Sequence, residues 1–180
     1  MGWAIHCPAL FFLTLPLARQ MMNCPEEFIG RALSMSPAEA SMLPAGEALI
    51  GRGFRYWLGG YQTGNFANWQ RCWSLFCDEM PCNARDAIDD LARWVNTVRC
   101  CGLRDIELLP DNCGAFGRDE CLAVTLVVAS EHRHCPAMQL CAQLLMGTNN
   151  VEPALDAAFR FGRTLAQGGV SFTDDGAAIH

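Results

Sequence analysis

Large apolar side chains recur every three or four residues through most of this chain, and that rhythm restricts it to packed helices. The stretch Asn65–Met80 carries it most densely, with Phe66, Trp69, Cys72, Trp73, Phe76 and Met80 on one side. Asn65 stands where a cap is needed and Pro81 where the helix must stop. Two tryptophans and two phenylalanines on one face bury roughly 150–250 Å² each, which places this helix near the centre of the expected core.

The same punctuation divides the rest. Glu47–Tyr61 repeats Ile50, Phe54, Trp57, Leu58 and Tyr61 along one side, with Gly51 and Gly53 inside it and Gly59-Gly60 and Thr63-Gly64 expected to end it and make a turn. Asn83 is expected to cap a helix through Cys101, with Ile88, Leu91, Val95 and Val98 inward and Gly102 as its stop. Cys135-Pro136 opens a helix through Met146, and Asn149-Asn150 is placed to cap a last one carrying Leu155, Ala158, Phe159, Gly162 and Leu165. Near the start, Asn23–Glu27 and the capping box Ser36-Pro37-Ala38-Glu39 mark two further helix beginnings.

Two segments resist the rhythm. Residues 103–117 are irregular, with Ile106–Leu109 able to be extended and Pro110–Gly114 a strong turn signal. Residues 118–132 are ambiguous, because Val124–Val128 is β-branched enough for a buried strand. Fifteen residues without Gly or Pro, and no partner strand, favour a central helix.

The expectation is therefore an all-α fold: one compact domain of five to seven helices, with a short extended segment allowed near 105–109. Its core is centred on the helix Asn65–Met80 and the apolar helix near 118–132. The side chains expected inside are Phe54, Trp57, Trp69, Trp73, Phe76, Leu91, Val95, Leu122, Leu126 and Phe159. Residues 22–169 form the helical domain and 170–180 a frayed tail. Residues 1–21 form a non-core extension, either a start read too early or a weak signal-like segment. Its apolar run Ala9–Leu15 is too short to span a bilayer and nothing basic precedes it.

Composition narrows function chiefly by exclusion. With 51% hydrophobic residues, 180 residues are enough for a sizeable core. The charged share of 18% is below the roughly 25% usual for soluble domains, which means either a generous core or apolar surface kept for a partner. The net charge is −6, and all 13 basic residues are arginine. A lysine-free, acidic chain has no Schiff-base or P-loop lysine and no basic patch for nucleic acid or an anionic membrane. Eleven cysteines are an odd number, several at positions of expected burial. They read as reduced thiols filling core space in a cytoplasmic protein.

Two clusters could carry chemistry. Cys113, Cys121, His132, His134 and Cys135 are thiolate and imidazole donors of the kind zinc takes, but no pair has C-x2-C spacing. Imidazoles near a helix C-terminus and cysteines in a core explain the same residues without metal. Asp86, Asp89 and Asp90 put three carboxylates on one helical patch, as some helical Mg²⁺ enzymes do. Both Asp89 and Asp90 can instead reach Arg93. No cofactor is expected, zinc being the one these residues allow. The reading that remains is a non-enzymatic adaptor or regulatory domain that contacts another protein or a second copy of itself. A thiol metal or redox protein and an aspartate-patch enzyme are the alternatives.

Overall fold

The computed structural model describes residues 43–130 and 136–172. Within them the chain forms six helices and no strand: α1 Ala45–Thr63, α2 Phe66–Glu79, α3 Ala84–Cys101, α4 Arg118–Ala129, α5 Pro136–Met146 and α6 Glu152–Gln167. None is long and apolar enough to cross a membrane. The helix starts expected at 23–27 and 36–39, and residues 1–21, lie outside the described residues.

The cap of α2 forms as expected, the Ala67 N–H donating to Asn65 Oδ1 over 3.0 Å. Asn83 and Val151 precede α3 and α6 without making a side-chain cap, so neither Asn83 nor Asn149-Asn150 does the capping expected of it. Of the two stops expected for α1, Gly59-Gly60 does not end it and Thr63-Gly64 does. The helix runs on to Thr63 and stops at Gly64, whose φ of 68° is the left-handed conformation that favours glycine. The two earlier glycines serve packing instead: a Cβ on Gly60 would meet the Trp69 indole at 2.5 Å. Gly53 likewise lets the Phe76 ring approach α1, where a Cβ would sit 2.8 Å from it.

Helix α4 is the centre. Every residue from Asp119 to Ala129 is buried, which resolves the strand-or-helix ambiguity as a helix enclosed on all sides. It packs chiefly against α5 and α1, and α3 packs along α6. An aromatic chain joins these layers: Phe54 and Trp94 rings lie 5.3 Å apart, Trp94 stacks on Phe161 at 5.8 Å, and Phe161 meets Phe76 at 6.2 Å.

Helix α2 is an edge element, not the centre expected of it. Its buried residues are Asn68, Cys72 and Phe76, one i, i+4 ridge. Trp69 and Trp73 form the neighbouring ridge, about 100° around the helix from Cys72, and no further helix among the described residues covers it. Trp73 is accordingly 47% exposed, and Trp57 and Trp69 are half-buried. On α6, Phe161 occupies the core place expected of Phe159, which is half-buried with the Arg163 guanidinium 5.8 Å from its ring. The other expected core residues, Phe54, Phe76, Leu91, Val95, Leu122 and Leu126, are fully buried.

Of the tail expected over 170–180, residues 170–172 pack back on the bundle and the rest lies outside the described residues. The Val170 N–H donates to Leu165 O, and Phe172 is buried in the core. Ile106–Leu109 is irregular backbone rather than a strand, with Ile106 anchored inward.

Candidate functional site

Two features stand out against this scaffold, one internal and one external. The internal one begins with charge. Arg55 in α1 and Glu120 in α4 are 65 residues apart and both fully buried, joined by Arg55 Nε–Oε1 and Nη2–Oε2 contacts of 2.6 and 2.9 Å. The rest of the guanidinium donates to main-chain carbonyls of the irregular segment: Pro110, Cys113 and Ala115. Phe116 lies against the guanidinium, its ring centroid 5.2 Å from the Arg55 Cζ. Glu120 Oε2 also accepts from the Gly117 N–H over 2.6 Å, closing the first turn of α4.

Burial opposes the charge on Arg55, but the bonded Glu120 carboxylate outweighs it and holds the arginine pKa above its ordinary value. Next to it, Asp119 accepts from Arg104 and, over 2.8 Å, from the Glu107 N–H. Arg104 Nε in turn donates to Leu144 O over 2.9 Å. The two carboxylates that open α4 thus hold residues 103–117 against the bundle. The charged groups of this network are bonded to one another and to the main chain, so it clamps residues 103–117 to the helices.

The external feature is the exposed side of α2 and the adjoining end of α1. Trp57, Phe66, Trp69, Gln70, Trp73 and Ser74 line a groove of about 450 Å³. Trp69 is its hub: the rings of Trp57, Tyr61 and Phe66 lie 6.4, 5.5 and 6.1 Å from it. Its indole N–H donates to Trp57 O over 3.2 Å, tying the ring to α1. Phe66 and Tyr61 are 64% and 39% exposed. The Arg99 guanidinium covers the Tyr61 ring at 4.7 Å. The Trp57 indole N–H is enclosed and has no hydrogen-bond acceptor.

The residues singled out from sequence do not assemble into either feature as ligands. Cys113 is half-buried on the turn held by Arg55, and Cys121 is buried in α4 with its Sγ 3.9 Å from Phe116 O. His132, His134 and Cys135 lie outside the described residues. Among the described residues no three His, Cys, Asp or Glu side chains converge as metal ligands. Asp86 and Asp89 are exposed, while Asp90 pairs with Arg93 at 2.6 Å and accepts from Thr164 Oγ1 at 2.8 Å. That patch therefore ties α3 to α6, and Asp90 rather than Asp89 engages Arg93.

Cys72, Cys77, Cys82, Cys100, Cys101, Cys113 and Cys141 are free thiols. Burial pushes Cys72 up to about 12 and Cys141 up to about 11, far from a reactive thiolate. Sequence reasoning missed Arg55 and Glu120. The available signal was two acidic residues opening a run too apolar to have a solvent face, since carboxylates buried there need cations. The chain matches no family model, no curated protein and no solved structure.

Proposed function

We propose that this chain is a small protein-interaction domain that acts through the α1–α2 aromatic groove and carries out no catalysis of its own. The supporting observation is Trp73: an indole 47% exposed on a folded helix, continuous with Phe66, Trp69 and Tyr61. Aromatic side chains of this kind are enriched at protein contact surfaces, where their apolar area is covered and their polar edges stay satisfied. The six residues that line the groove include no arginine, and the Arg99 guanidinium beside it lies over the Tyr61 ring, which disfavours nucleic acid as the occupant. The partner is another protein or a second copy of the chain, and its setting is the cytoplasm, where thiols such as Cys72 and Cys141 persist in reduced form.

A photo-crosslinking amino acid placed at Trp73, and separately at exposed Arg85 on α3, tests the assignment in cells. A discrete adduct from position 73 and none from position 85 is the expected pattern. Equal labelling from both positions, or none from 73, would remove the groove from consideration.

A further inference from the structure

We draw no further inference here: the strongest candidate beyond the aromatic groove, the exposed face of α6 where Arg160 and Arg163 line a groove of about 440 Å³, shares that lining with the Asp156 carboxylate, and nothing in the structure shows what covers it.

Discussion

Removing Arg55 should destabilise this domain more than any surface change, and the structure says by how much. Arg55→Met keeps the aliphatic stem but deletes two bonds to Glu120 and three to the carbonyls of Pro110, Cys113 and Ala115. Glu120 is left 0% exposed with the Gly117 N–H as its one remaining donor from this network. Breaking a buried pair from one side typically costs about 3–5 kcal/mol, because the remaining charge is uncompensated. Against a total stability of about 5–15 kcal/mol for a domain of this size, that is a large fraction. Glu120→Gln retains the shape and an acceptor oxygen and should cost less, on the order of 2–3 kcal/mol.

The decisive measurement is the double variant. Arg55→Met with Glu120→Leu leaves no buried charge, so its loss should fall short of the sum of the losses from Arg55→Met alone and Glu120→Leu alone by about 1–3 kcal/mol. Urea unfolding under reducing conditions supplies all the values, and amide exchange at Cys113 and Gly117 should quicken with the loss of the clamp. If Arg55→Met costs under about 1 kcal/mol, or the double variant is additive, the pair is not an internal anchor.

Three further outcomes are set by the packing. Gly53→Ala should destabilise by about 1–3 kcal/mol, since its Cβ would lie 2.8 Å from the fully buried Phe76 ring; an unchanged melting curve would contradict that. Trp94→Ala should cost about 3–5 kcal/mol. Trp73→Ala should cost under about 1 kcal/mol, so equal unfolding midpoints would refute the placement of the two rings. Alkaline titration should expose the buried thiols. Cys72 and Cys141 have folded pKa values of about 12 and 11 against an ordinary 9.0, so the neutral thiol is favoured in the fold. The stability this confers is complete below pH 9 and is lost as pH rises towards 11–12, by up to about 1.4 kcal/mol per pH unit per thiol. A Cys72→Ala/Cys141→Ala variant should be less stable at neutral pH but lose less on going from pH 9 to 11.

The helices were legible because each depends on residues close in sequence. Asn65 caps α2 through Ala67, two positions on. The long apolar run Cys121–Ala129 needs only its own length to favour helix over strand. What periodicity does not encode is how many ridges of a helix find a neighbour. Trp69, Cys72, Trp73 and Phe76 share one broad apolar face in the sequence, yet only the Cys72–Phe76 ridge is covered. The same limit applies to Phe159 and Phe161: two residues turn a helix through about 200°, so one of the pair must leave the core. A helical pattern allows either ring to be the one that stays, and contact with Trp94 decides it.

The clamp was invisible for the complementary reason. Nothing local marks Arg55 as internal, since it stands between Phe54 and Tyr56 on a helix whose exposed residues include another arginine, Arg52. It is the irregular segment that requires a buried cation. Residues 110–117 turn sharply enough that the carbonyls of Pro110, Cys113 and Ala115 all accept from Arg55, where a helix or sheet would have satisfied them. A planar guanidinium presents five donors in a fixed fork, so one side chain can serve several carbonyls and a carboxylate together. Lysine, a point charge with three donors, would not cover the same set. The segment reaches α2 through Arg71 and Asp111, paired at 2.6 Å. Because that pair is exposed, it should contribute little to stability, on the order of 0–1 kcal/mol. Anchoring of residues 103–117 therefore depends on the interior, and exchange protection across 110–117 should follow Arg55 and Glu120 while being indifferent to Arg71→Ala.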